Sequence, residues 1–166
     1  DISYCRQLGF EGIATGCLQP DNHLDREGMA LLAEAAGEMH LTFHRAFDRI
    51  EGWKHALSQL ESLGVDTILT SGRAPSAQKG LSFLEELVNS TRCSIMPGGG
   101  IRPSNLKDFL GKGFGAVHLS ALPEVPEEAP SGMPLNAPGL LREGFPIVPD
   151  ARLIREVVEQ VRGNPS

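Results

Sequence analysis

The stretch Leu41-Thr42-Phe43-His44-Arg45-Ala46-Phe47-Asp48 joins an apolar strand to a cluster of polar side chains. Its first half alternates aromatic or aliphatic residues with smaller or polar ones, which predicts a β-strand. Its second half places an imidazole, a guanidinium and a carboxylate close together, and such groups are costly to bury unless they are paired. Several other apolar runs in the chain also end in polar residues or glycine. Strand ends of this kind indicate a functional site.

The composition is that of a soluble globular protein. The 166 residues are 40% hydrophobic and 22% charged, with a formal net charge of -6. This acidic balance argues against nucleic acid as a partner, and no apolar run reaches the roughly 18 residues of a membrane span. The three scattered cysteines indicate reduced thiols and a cytoplasmic location.

A strand followed by an amphipathic helix is the recurring unit of the chain. Strands are predicted to begin near five positions: Gly12, Leu41, Thr67, Ser94 and Ala116. Helices are predicted over six ranges: 1–8, 25–40, 52–63, 77–89, 103–112 and 151–162. Strand–helix alternation predicts an α/β fold with a parallel sheet. Residues 1–166 are predicted to form one domain, with an irregular proline-rich loop over 122–149.

Two parallel folds suit this alternation, the open doubly wound sheet and the eight-stranded barrel. A doubly wound nucleotide fold carries its phosphate-binding glycines after the first strand. Here Pro97-Gly98-Gly99-Gly100 follows the fourth predicted strand, which fits a barrel whose phosphate site lies after strands seven and eight. We therefore expect a TIM-type (β/α)8 barrel of which this chain supplies strands four to eight, a partial barrel.

The chain carries four motifs in order: Thr42-Phe43-His44-Arg45-Ala46-Phe47-Asp48, Leu69-Thr70-Ser71-Gly72, Met96-Pro97-Gly98-Gly99-Gly100-Ile101 and Val117-His118-Leu119-Ser120-Ala121. Together these motifs resemble the CutC family of copper homeostasis proteins. The resemblance implies a TIM-barrel-like protein that begins here in its third helix. It also implies a cytosolic role in copper binding or trafficking, with Cu(I) as the metal. The family's cysteines proposed to bind Cu(I) would precede Asp1.

His44 and His118 occupy comparable positions near the ends of two predicted strands. Period-two alternation turns both side chains towards the barrel interior near its carboxyl-terminal mouth, where barrel active sites lie. They are candidate catalytic residues, either as acid and base or as metal ligands. The alternative is that each is a neutral histidine hydrogen-bonded inside the barrel.

The remaining candidates are ligand-binding residues. Arg45 and Asp48 form either an ion pair that shapes the strand end or a contact to a carboxylate or phosphate. The other candidates also lie at predicted strand ends: Thr70, Ser71, Gly72, Gly98, Gly99, Gly100 and Ser120. The hydroxyls and Gly72 form either a ligand edge or a plain turn. The glycine run, followed by a predicted helix, either offers backbone N–H groups to an anion or only permits a tight turn.

Cys17, at the end of the first predicted strand, is the candidate metal ligand, with Met96 as a second soft side chain. Buried Cys and Met are more often core residues. Two functions stay open: the copper role implied by the resemblance, and a barrel enzyme acting on a small anionic or phosphorylated metabolite. Five of eight strands would leave two open sheet edges, so we expect either a fragment of a longer chain or a homo-oligomer.

Overall fold

The computed structural model describes residues 1–122 and 148–163. The proline-rich loop predicted over 122–149 lies almost wholly outside the described residues. Four parallel strands form one sheet in the order β1-β2-β3-β4: β1 Gly12–Thr15, β2 His40–Phe43, β3 Thr67–Thr70 and β4 Ser94–Pro97. The α/β class and the parallel sheet are therefore confirmed. A sheet whose spatial order follows the chain brings the carboxyl ends of successive strands to one edge.

The helices follow the predicted amphipathic segments, with shorter bounds in several cases. They are α1 Ile2–Gln7, α2 Arg26–Ala36, α3 Trp53–Ser62, α4 Leu81–Val88 and α5 Ala151–Arg162. Asp25 caps α2 by accepting a hydrogen bond from the Gly28 N–H at 3.0 Å. Gly37, at φ +63°, ends α2 before the predicted 25–40 segment is complete. The chain then has room to enter β2 at His40.

The core lies between the sheet and its covering helices. Phe43 and Ile68 in the strands, and Met29, Leu60 and Leu84 in the helices, are completely buried. Each strand is short, so the residues that follow it quickly reach the carboxyl edge of the sheet. A 3₁₀ turn over Arg45–Arg49 begins directly after β2 and buries Phe47. This turn keeps Arg45 and Asp48 at that edge.

The prediction of a strand near Ala116 is wrong. Only an isolated parallel bridge joins Gly98 to His118. The N–H of Gly115 donates to Ile95 O at 3.2 Å and the N–H of His118 to Pro97 O at 2.8 Å. Three residues on one segment therefore face two on β4, and the extra residue breaks the ladder as a bulge does.

The helix predicted over 103–112 is also wrong, because only a 3₁₀ turn forms there, over Leu106–Asp108. The Asn105 side chain accepts from the Arg102 N–H and donates to Gly100 O, each at 2.9 Å. Such side-chain bonds to nearby backbone compete with helix formation. The glycine run is therefore followed by a loop that Asn105 holds in place, and not by the start of an α-helix.

Candidate functional site

Asp48 is the centre of a polar cluster at the carboxyl edge of β2 and β3. Its Oδ1 accepts from the Thr70 hydroxyl at 2.5 Å, the Ser71 N–H at 2.9 Å and the Arg73 N–H at 3.2 Å. Its Oδ2 accepts from Arg45 Nε at 2.8 Å and lies 3.0 Å from the Ser71 hydroxyl. The side chain is only 11% exposed. This carboxylate therefore ties the residues after β2 to the end of β3.

Arg45 is held along one side of its guanidinium. Nε donates to Asp48 and Nη2 donates to the Ser71 hydroxyl at 2.9 Å. The side chain is 46% exposed, so the rest of the group is accessible. The predicted ion pair is present. The alternative of a ligand contact is compatible with it, because a guanidinium has five N–H donors.

The glycine run lies beside this cluster. A methyl group on Gly99 would be 3.3 Å from Arg45 Nη1 and 3.4 Å from Ser71 Cβ. Gly99 and Gly100 have φ values of +104° and +77°, which favour glycine. The Gly98 N–H donates to Thr70 O at 2.9 Å, which fixes the loop against β3. Four separated sequence motifs thus contribute to one edge, with His118 bridged to Gly98.

Other predicted residues complete the turn after β3. The N–H of Gly72 donates to the Thr70 hydroxyl at 2.9 Å. Ser71 and Thr70 are fully buried, so both hydroxyls act inside the cluster. Ser120 lies further along the chain, exposed on the surface. The turn alternative for Thr70, Ser71 and Gly72 is present in the structure, and their ligand role stays a prediction.

The two histidines have different surroundings. His44 is half-buried, and its Nδ1 accepts a hydrogen bond from the Ala46 N–H at 3.2 Å, which caps the 3₁₀ turn. A methyl group on Gly16 would lie 2.9 Å from the His44 ring. His118 is exposed beside the glycine run. Joint acid–base action by these imidazoles stays a prediction.

Cys17 lies apart from this cluster, against the start of α2. Its thiol is 3.6 Å from Asp25 O, and a methyl group on Gly28 would be 3.0 Å from Sγ. Burial, and then the charge of Asp25, raises the pKa of the Cys17 thiol. Within residues 1–122 and 148–163, no three His, Cys, Asp or Glu side chains form a group able to hold a metal. The metal role of Cys17 stays a prediction.

Sequence reasoning missed the residues that hold the glycine loop in place. The N–H of Ala77 donates to Gly99 O at 2.8 Å, and the Asn105 amide donates to Gly100 O. The Arg102 guanidinium donates to Leu122 O. Asn105 gave a usable signal, because Asn side chains after a glycine turn commonly bond to nearby backbone. Ala77 gave none, since its contribution is a backbone group.

Comparison with known proteins places the chain among CutC proteins. The CutC family model matches residues 1–122. A relative from Proteus mirabilis, described as "family protein CutC", is 43% identical over 141 residues, and the match covers 84% of this chain and 55% of the relative. One from Edwardsiella ictaluri is 45% identical over 122 residues, covering 73% and 49%. The chain thus spans about half the length of these curated relatives.

A solved structure agrees with this match. It is described as the putative copper homeostasis protein CutC from Streptococcus agalactiae, with a TM-score of 0.66 and 28% sequence identity. The superposition covers 70% of this chain and 59% of that chain. In the part of the chain that is described, no helix is long and apolar enough to cross a membrane. The match over most of the chain shows that the chain belongs to the CutC family.

Proposed function

We propose that this chain acts in copper homeostasis, in the cytoplasm, by binding or trafficking Cu(I). The observation that carries the proposal is the family match over residues 1–122, together with the copper homeostasis description of the Streptococcus agalactiae relative. All three cysteines are free thiols, which supports a reducing compartment. Copper is then the cargo that the protein takes up and passes on.

Cys17 is the proposed copper ligand on this chain. Thiolate is a ligand type that selects Cu(I), and Cys17 is only half-buried. Its raised thiol pKa means that copper must displace a proton, so the affinity should rise with pH.

Titration with Cu(I) against a colorimetric chelator, in reducing buffer, tests this proposal. We expect the wild-type chain to withdraw copper from the chelator and Cys17→Ser to lower the affinity at least about tenfold. Cys5→Ser is the matched control, because Cys5 is a half-buried thiol on α1. No copper taken up by wild type would refute copper binding. Equal loss in both variants would refute the role of Cys17.

A second candidate is binding of, or catalysis on, a small anionic or phosphorylated metabolite at the carboxyl edge of the sheet. One observation favours it: Arg45 is fixed by Asp48 and Ser71 yet keeps an exposed part of its guanidinium beside Gly99. In this function His44 and His118 supply the acid and base. Titration with small anions tests the binding step.

We further propose that β1 to β4 are strands four to seven of a TIM-type barrel, with the Gly98–His118 bridge at the place of strand eight. The sequential strand order supports this assignment, because neighbouring barrel strands are consecutive in the chain. Within the described residues the outer edge of β1 pairs with no strand, which supports a homo-oligomer. Sedimentation showing a monomer of 17.8 kDa would refute the oligomer.

A further inference from the structure

We propose that Arg45 and the loop 98–101 bind a tetrahedral oxyanion, phosphate or a phosphate monoester, and that Asp48 and Ser71 position Arg45 for it. This inference rests on the second candidate function and gives its ligand a chemical class. Three features of the described residues carry it: free backbone donors, a free guanidinium edge and anchored carbonyls.

The backbone donors are three consecutive N–H groups. Within residues 1–122 and 148–163, the N–H groups of Gly99, Gly100 and Ile101 donate to no backbone or side-chain acceptor. The preceding N–H, of Gly98, is already used by Thr70 O. Successive free N–H groups in a turn with positive φ form a concave anion-binding surface. Gly100 is exposed, so a solute can reach it.

Two carbonyls of the same loop, those of Gly99 and Gly100, are held by hydrogen bonds from other parts of the protein. Gly99 O accepts from the Ala77 N–H at 2.8 Å, and Gly100 O accepts from the Asn105 amide at 2.9 Å. Because both acceptors are engaged, they do not compete for a place beside the bound anion. These two bonds also fix the peptide planes, so the neighbouring N–H groups keep their direction without a ligand.

Arg45 offers the second set of donors. Nε and one N–H of Nη2 form one side of the planar fork, and both are occupied by Asp48 and Ser71. One N–H of Nη1 and the second N–H of Nη2 are left along the neighbouring edge, which fits two oxygens of one anion, and the other Nη1 N–H points back along the side chain. Nη1 lies 3.3 Å from the place of a Gly99 methyl group, so this edge adjoins the loop.

The arrangement of these donors favours a tetrahedral anion over a carboxylate. A carboxylate offers two oxygens in one plane, and the Arg45 edge alone would satisfy them. A phosphate carries additional oxygens outside that plane, which the N–H groups of the loop can reach. Asp48 offsets the charge of Arg45, so affinity should depend on hydrogen-bond geometry more than on net charge. Weak dependence on salt is therefore expected.

Calorimetric titration with inorganic phosphate, phenyl phosphate and acetate tests the proposal. We expect both phosphates to bind and acetate to bind at least about tenfold more weakly. Arg45→Gln should weaken phosphate binding about tenfold or more, since a hydrogen bond to a charged group is lost. Arg49→Gln is the matched control, because it removes an exposed arginine from the same 3₁₀ turn. It should leave phosphate affinity unchanged.

The outcomes separate the two levels of the proposal. If none of the three anions binds, the second candidate function fails together with this inference. If acetate binds as tightly as phosphate and Arg45→Gln abolishes both, the anion site stands and the tetrahedral class is wrong. If Arg45→Gln unfolds, amide NMR of wild type decides. Phosphate should shift the signals of Gly99, Gly100 and Ile101, and shifts confined to other amides would overturn the proposal.

Discussion

Replacing Asp48 by Asn should destabilise the fold well beyond the loss of one surface charge. The amide keeps an oxygen for Thr70, Ser71 and Arg73, but its NH₂ group replaces Oδ2, the acceptor for Arg45 Nε. The new NH₂ group and the Arg45 Nε–H, which are both hydrogen-bond donors, then face each other. Asp48→Asn also preserves side-chain size, so the change tests the charge and the hydrogen bonds without opening a cavity.

The magnitude follows from the exposure of each partner. Loss of the Arg45 contact lowers the unfolding free energy by at most about 1 kcal/mol, because the Arg45 side chain is 46% exposed and solvent screens the ion pair. The bonds from Thr70 and the Ser71 N–H change from charged to neutral acceptors, at about 1 kcal/mol each. The sum is about 2–3 kcal/mol of unfolding free energy, or a melting point lower by roughly 5–10 °C.

Urea unfolding followed by circular dichroism measures this difference. Asp108→Asn is the matched control: Asp108 accepts one bond, from the Gln78 amide at 2.9 Å in an exposed pair. The control should change the unfolding free energy by less than about 0.5 kcal/mol. A loss in Asp48→Asn no greater than in the control would refute the view that this carboxylate holds the ends of β2 and β3 together.

Two further predictions concern the histidines and a buried thiol. His44→Ala and His118→Ala should both fold, because neither ring fills the core, while ligand binding or activity is lost. Circular dichroism with anion titration checks this, and two unfolded variants would show that the rings are structural. Burial raises the pKa of the Cys93 thiol, which is 7% exposed. Stability from this thiol is therefore complete below the unfolded thiol pKa of about 8.5 and is lost as pH rises above it. Between pH 8 and 10, wild type should lose unfolding free energy faster than Cys93→Ala, by up to about 1.4 kcal/mol per pH unit. Urea unfolding at each pH gives the unfolding free energy of both proteins. If that free energy falls with pH equally in wild type and Cys93→Ala, the prediction is contradicted.

Local pattern was sufficient where one segment decided its own structure. Apolar periodicity predicted α2, α3 and α5, since one face of each had to be buried. Asp25 and Asp150 each accept a hydrogen bond from the first turn of their own helix, so these caps depend on local sequence alone. The pattern failed over 103–112, where Asn105 bonds to the loop before it. It also failed near Ala116, where one extra residue against β4 breaks the ladder, and register depends on the partner strand.

The sequence by itself determined the parallel α/β class, the family, and the polar residues that follow each strand. Only the tertiary structure decided how those residues meet. Asp48 and Ser71 are 23 residues apart, and Gly99 is brought beside Arg45 by the side-by-side order of β2, β3 and β4. The free edge of the Arg45 guanidinium and the free N–H groups of the loop 98–101 depend on which hydrogen-bond partners lie within about 3 Å. Those partners come from distant parts of the chain, and the pattern of residue types along the sequence does not determine the distances between them.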